Sequence, residues 1–171
     1  MSSESFTTAI FLITAVIAAA VLVNAFFPII YTATTTFTST SHTADERLRT
    51  DIKIVNSYAS SVPDPNIAKI WIKNVGTTRI ADTKLNKSDV YIGAPGDFEF
   101  AILTPGGSES DPSEWEYDII DIDSANGYWD QGETLYIEAR SSEIPGNGED
   151  VYFQFVLPGG IVCTTTFTSS G

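Results

Sequence analysis

The strongest constraint on this chain lies at its start. Between Glu4 and His42 no side chain is charged, and the first half of that stretch is almost wholly apolar. The run from Phe6 to Ile30 spans about 25 positions, and at 1.5 Å rise per residue it is long enough to cross a hydrocarbon core of about 30 Å. A helix apolar on every side does not belong on the surface of a soluble fold. A secretory signal would carry a basic leading region and a shorter apolar core. Here no Lys or Arg precedes Arg47. Residues 1–44 are therefore expected to form a retained membrane anchor and a Thr-rich stalk.

The anchor carries features suited to helix packing. Thr14 and Ala18 are four residues apart, as are Ala15 and Ala19, and small residues at that spacing let helix backbones approach closely in lipid. Asn24 is a polar group at membrane depth that calls for an interhelical partner. Pro28 is expected to kink the helix near its outer end. The uncharged segment from Tyr31 to Ser41 is rich in Thr and Ser. It either continues the helix in a crowded bundle or forms a polar stalk.

From residue 51 the periodicity changes to two. Expected strands are Asp51–Tyr58, Asn66–Val75, Asp89–Gly93, Phe98–Thr104, Glu114–Asp121, Glu133–Arg140, Asp150–Leu157 and Gly160–Thr168. They are rich in Val, Ile, Tyr, Phe and Thr, and many alternate apolar with polar residues. Pro-, Gly- and Asn-containing turns separate them, and Pro158-Gly-Gly reads as a tight hairpin. Eight short strands without an intervening helical pattern predict an all-β immunoglobulin-like antiparallel sandwich over residues 45–171, preceded by a single N-terminal transmembrane α-helix. The chain from Ala44 to Arg49 keeps helical propensity and joins the two parts.

Charge and composition narrow the chemistry. The formal charge is −13, and Glu4 is the one acid before Asp45, so 21 acids and all nine bases lie beyond it, a net −12. Such a surface excludes nucleic acid as a partner, because phosphate binding needs a basic face. It suits an extracytoplasmic setting, although the nearest basic residues, Arg47 and Arg49, would by the positive-inside rule hold the domain in the cytoplasm. That rule weakens at this distance from the apolar run, and the domain is expected outside. The one cysteine, Cys163, allows no intrachain disulfide and sits in an alternating strand as a small apolar residue.

No catalytic Ser–His or Cys–His arrangement, phosphate loop or zinc spacing is present, so no enzyme and no cofactor are expected. The best constellation for chemistry is acidic. Asp121, Asp123, Asp130 and Glu133, around an Asn126-Gly turn, offer oxygen ligands of the kind Ca²⁺ takes. Their spacing departs from the EF-hand loop, and an acidic hairpin loop with an Asx turn explains them as well. Trp115 and Trp129 read as packing residues.

Several segments resemble the G-type stator proteins (FlaG-type) of the archaellum, the archaeal swimming filament. They are the uncharged helix from Phe6, the stretch from Ser41 to Asn56, Ile72-Lys-Asn-Val-Gly-Thr-Thr-Arg-Ile80, Lys87-Ser-Asp-Val-Tyr-Ile-Gly93, Trp129-Asp-Gln-Gly-Glu-Thr-Leu135 and Leu157-Pro-Gly-Gly-Ile161. The resemblance implies a non-enzymatic anchoring protein of the motor. Its sandwich would lie outside the membrane, assembling as a homo- or hetero-oligomer with a sibling stator protein that grips the surface layer. A filament subunit, archaellin or pilin-like, shares the plan but is made with a basic leader ending in Gly, and none precedes Ser5. A surface adhesin is the third reading, and a soluble ligand that raised the melting temperature would distinguish it.

Overall fold

The computed structural model describes residues 2–60, 66–96, 101–105, 113–120 and 126–170, and the chain divides into two compact units, residues 1–44 and 45–171. The first is helical throughout its described length. Helix α1 runs Ser2–Arg49, passing through Pro28 and ending within the second unit. Every described side chain from residue 3 to residue 49 is exposed.

The Thr-rich segment is thus helical. Its hydroxyls explain how a β-branched, polar run stays in a helix. Thr34 donates to the Ile30 carbonyl, Thr35 to Tyr31 and Thr32, Thr38 to Thr34, Thr40 to Thr36 and Thr43 to Ser39, at 2.9–3.1 Å. Each of these hydroxyls is satisfied three or four residues back. Thr7, Thr8 and Thr14 do the same in the apolar half.

The second unit is a β-sandwich. Its strands are β1 Ile52–Ser60, β2 Ile67–Asn74, β3 Ile80–Ala81, β4 Asp89–Gly93, β5 Ala101–Pro105, β6 Ser113–Ile120, β7 Tyr128–Trp129, β8 Thr134–Ser141, β9 Asp150–Leu157 and β10 Ile161–Thr168. A one-turn helix, α2 Asp82–Leu85, follows β3. The eight longer strands run in the order β1-β2-β8-β6-β5-β4-β9-β10, and β3 pairs with β7 apart from them. The main ladders are antiparallel, as expected, with one exception. β5 and β6 pair in parallel over two residues, Thr104 with Glu114 and Pro105 with Trp115.

Alternation builds the core. Ile70 and Ile72 of β2, Leu135 and Ile137 of β8, Val90 and Ile92 of β4, and Phe153 and Phe155 of β9 are fully buried. Trp115 of β6 meets Phe155 edge-on with centroids 6.1 Å apart, so one aromatic contact ties the two layers. The open edges meet as well: Ser170, just past β10, donates through both its backbone N–H (2.9 Å) and its hydroxyl (3.0 Å) to the Ala59 carbonyl of β1. At the other end of β1 a bulge between Ile54 and Asn56 leaves Val55 exposed. The hairpin at Pro158-Gly-Gly is as expected, with Leu157 opposite Ile161 and positive φ at Gly159 and Gly160.

Differences from the expected strands are local. β4 and β9 coincide with expectation, and β1, β2, β6, β8 and β10 shift at their ends by one or two residues. Residues 98–100 of the expected fourth strand, and Asp121, lie outside the described residues. β3, α2 and β7 were not expected, because two-residue ladders and a single helical turn carry no readable period.

With its own core and joined edges, residues 45–171 should fold without the helix. A purified fragment is expected to be soluble and to unfold in one cooperative transition, read by circular dichroism. A broad, non-cooperative melt would refute this.

Candidate assembly surfaces

Three surfaces stand out, and the first is on α1. Thr14, Ala15, Ala18, Ala19 and Asn24 are all exposed along the helix. Ile10, Phe11, Thr14, Ala15 and Ala18 line a shallow apolar groove. The Thr14 hydroxyl is already used, donating to the Ile10 carbonyl at 2.7 Å, so at the groove Thr14 offers a methyl group. A bare apolar helix of this kind is covered in its working state by lipid or by neighbouring helices.

The second surface is the outer face of β2, β8 and β6. Trp71 and Tyr136 face each other across the β2–β8 ladder with centroids 5.3 Å apart. Beside them Glu138 accepts from Tyr136 Oη (2.7 Å) and Arg140 Nη2 (2.9 Å), with Lys69 Nζ at 3.6 Å. Partial burial alone would raise the Glu138 carboxyl. The bonds from Tyr136 and Arg140, with the Lys69 charge, outweigh it and leave the carboxyl below its ordinary value. The Tyr136 hydroxyl is pushed up, by burial first and then by its carboxylate partner.

The third is the end of the sandwich that receives the last turn of α1, residues 45–49, all within the second unit. After β2 the chain turns back over this point: Thr77 and Thr78 N–H donate to the Arg49 carbonyl, and Val75 and Gly76 N–H to that of Asp51, at 2.8–3.3 Å. These bonds satisfy a carbonyl that the helix end leaves open. Gly76 passes so close that a Cβ there would lie 2.4 Å from Asp51 N and 2.5 Å from Arg49 O. Buried Asn74 holds the turn. Its Oδ1 accepts from Gly76 N at 3.1 Å, and its Nδ2 donates to the carbonyls of Thr78 (3.0 Å) and Trp129 (3.1 Å). Lys84 of α2 pairs with Glu46. Sequence reasoning met Asn74, Gly76 and Arg79 only as members of the Ile72–Ile80 segment and gave none of them a role, although Asn-x-Gly at the end of a strand is a turn signal.

The acidic loop 126–133 braces that turn. Arg79 forks onto Asp130 with both contacts at 2.9 Å and stacks over the Tyr128 ring, 4.5 Å from its centroid. Asn126 makes an Asx turn, its Oδ1 accepting from Tyr128 N at 2.8 Å while its Nδ2 donates to Asp130. Glu133 Oε2 accepts from Asp130 N at 2.7 Å. Of the four carboxylates considered for Ca²⁺, Asp121 and Asp123 lie outside the described residues, and Asp130 and Glu133 tie this loop together. Among the described residues no group of three or more His, Cys, Asp or Glu side chains is arranged to hold a metal.

Trp115 and Trp129 are core residues, as read, and Trp129 Nε1 donates to the Glu133 carbonyl at 3.0 Å. Cys163 points inward from β10, and burial pushes its thiol up to about 12. It is a packed side chain rather than a reactive one.

The hydrogen bond from Arg79, and then that from Asn126, holds the Asp130 carboxyl below its ordinary value. A carboxyl depressed in the folded state contributes stability that is present above the unfolded pKa and lost as pH falls through the folded one. Acid denaturation followed from about pH 5 downward, through the ordinary carboxylate range near 4, should therefore be shallower in Asp130→Asn than in the parent. Parallel curves would show that this ion pair contributes nothing.

Comparison with known proteins bears on the family and the fold. The sequence model of the archaeal-type flagellin family matches residues 2–167. An uncharacterised protein of Archaeoglobus fulgidus is 25% identical over 171 residues, covering 98% of this chain and 99% of its own. Among solved structures, the archaellum periplasmic stator protein FlaG from Sulfolobus acidocaldarius superposes with a TM-score of 0.52 at 20% identity, over 69% of this chain and 99% of that one. The same organism's stator complex of FlaF and FlaG gives 0.51 at 20% identity, over 68% and 87%. The archaeal flagellum of Methanospirillum hungatei gives 0.68 at 14% identity, over 96% and 93%. These likenesses confirm the fold: a long apolar helix followed by a β-sandwich.

Proposed function

We propose, from the premise that the chain belongs to the archaeal-type flagellin family, that this archaellum-related protein is a stator of the motor rather than a subunit of the filament. The family is one of structural archaellum components, not enzymes. In this reading α1 crosses the membrane once. The sandwich stands outside it and assembles with a sibling protein of the kind paired in the FlaF and FlaG complex, and with the surface layer.

One observation carries the reading. Four of the sequence segments that resemble the stator family meet at the end of the sandwich that receives residues 45–49. The segment Ile72–Ile80 supplies the turn over Arg49 and Asp51, and Trp129–Leu135 is joined to it through Gly132 N and the Asn74 carbonyl at 2.7 Å. Leu157–Ile161 forms the hairpin whose Gly160 lies beside Arg47. The stretch from Ser41 to Asn56 contains the helical turn itself. A stator must resist torque, and the collar around that turn is where a twisting load would enter the domain.

The filament reading has its own support. The likeness to the Methanospirillum flagellum extends over 96% of the chain, helix included. Mechanical shearing of filaments from the source cells, followed by peptide mass spectrometry of both fractions, separates the two. Retention in the envelope, far below the level of the main subunit, supports the stator. Dominance in the sheared filaments overturns it and makes α1 part of a filament core.

A further inference from the structure

We infer that Asn126 and Asn147 are latent sites of deamidation, each held in its amide form by a different part of the fold. The inference concerns the chain's own chemistry and stands whether the protein serves the motor or the filament. Of the seven asparagines in the sequence, two are followed by glycine, Asn126-Gly127 and Asn147-Gly148. Both pairs are exposed, and both glycines have positive φ, 78° and 84°. With no Cβ in the way, the backbone nitrogen of a glycine can reach the amide carbon of the asparagine before it. An exposed Asn-Gly pair is for that reason self-reactive in water.

The step needs only water. The glycine nitrogen gives up its proton to hydroxide and attacks the asparagine Cγ. A new N–C bond forms as the Cγ–Nδ2 bond breaks, and ammonia leaves with a proton from water. Water then opens the cyclic imide at either carbonyl, and an aspartyl or isoaspartyl carboxylate replaces the amide. A fold can stop this in two ways, by pinning the side chain or by engaging the glycine N–H.

Here each way is used once. At Asn126 the side chain is pinned: Oδ1 accepts from Tyr128 N and Nδ2 donates to Asp130 Oδ2, both at 2.8 Å. Turning Cγ onto the Gly127 nitrogen breaks these bonds. Among the described residues no carbonyl accepts from the Gly127 N–H. At Asn147 the backbone is engaged instead. Gly148 N–H donates to the Ser169 carbonyl at 2.9 Å, which keeps its proton in place, and Ser169 N–H donates to the Glu149 carbonyl at 2.8 Å. The lock on Asn126 belongs to the collar, through Asp130 and its fork to Arg79. The lock on Asn147 belongs to the end of the chain, where Ser170 is tied to β1. Conversion at position 126 would set a carboxylate beside Asp130 in place of an amide donor, and the two would compete for Arg79. Each asparagine thus records, irreversibly, an opening of its own part of the domain.

The full chain in detergent tests this, held folded in mildly alkaline buffer and digested at intervals. Peptide mass spectrometry reads the gain from nitrogen-for-oxygen exchange at each site, and the same chain in urea supplies the unprotected rate. Folding should slow conversion at both sites about fivefold or more, the factor that one hydrogen bond of ordinary strength supplies. Asp130→Ala removes one bond from the Asn126 side chain and should speed conversion there about fivefold, with the rate at Asn147 unchanged. Ending the chain after Thr168 removes the Ser169 carbonyl and should do the reverse. Equal rates in buffer and urea overturn the inference, and so does the lack of a rise at the matched site in either variant. A rise at both sites together overturns it too, since global unfolding would then control the rate.

Discussion

Gly76→Ala should lower the melting temperature of the detergent-solubilised chain by about 12 °C. The added methyl would sit 2.4 Å from one backbone nitrogen and 2.5 Å from one backbone oxygen, and neither can rotate away as a side chain can. Either the turn at 75–78 lifts, or the chain at 49–51 retreats. Both strain the four N–H bonds to the Arg49 and Asp51 carbonyls, and one of them is lost. Overpacking of this kind costs about 1–3 kcal/mol, and each lost hydrogen bond adds about 1 kcal/mol. A total near 3 kcal/mol converts at about 4 °C per kcal/mol for a domain of this size. Gly146→Ala is the control, since its new methyl meets only Glu149 Oε2, at 3.7 Å. It should change stability by no more than about 0.5 kcal/mol. If both variants melt with the parent, the turn does not hold the helix end.

Trp115→Ala is the second large effect, and it acts on the opposite principle. The indole is 1% exposed and contacts Phe155 on the facing layer and Tyr117 on its own strand, with centroids 6.1 and 5.7 Å away. Truncation removes the contact between layers and leaves a cavity that the strands, fixed by their ladders, fill only in part. The cost is about 3–5 kcal/mol, against a total stability of about 5–15 kcal/mol for a domain. Denaturant unfolding should show a midpoint shifted strongly downward with an unchanged slope, since the surface exposed on unfolding is nearly the same. Trp115→Phe should recover about half of the loss. A loss below 1 kcal/mol for the alanine variant would mean that this ring does not join the layers.

Much of this architecture was legible because it rests on long periodic signals. The uncharged run made α1 plain, and strict alternation placed β4 and β9 to the residue. Turn chemistry found the Pro158-Gly-Gly hairpin and the Asx turn at Asn126. What escaped lies where structure depends on distant partners. β3 and β7 exist because Ile80 and Trp129 meet across 49 positions of sequence, and no local pattern announces a pair of that length. For Asp130 and Glu133 the sequence offered two readings, oxygen ligands for Ca²⁺ or an acidic hairpin loop with an Asx turn, because carboxylates read alike in sequence. The structure shows one bound by Arg79 and the other by a backbone N–H. Gly76 looked like any turn glycine, and only the fold brings Arg49 and Asp51 against it. The Thr-rich segment suits either a helix or a stalk by sequence, because its outcome turns on where its hydroxyls point.

That last feature has a consequence for how the protein sits in its envelope. With each of those hydroxyls turned back onto the preceding turn, a threonine on α1 presents to its surroundings much what a valine does. The helix therefore has no sharp waterline at Ile30. If α1 crosses the membrane as proposed, its lower half is oily by composition and the back-bonded threonines of its upper half soften the boundary, so bilayers of different thickness could grip it at different heights. A swimming cell whose lipids change with temperature or salt would keep its grip on such a helix without altering a residue.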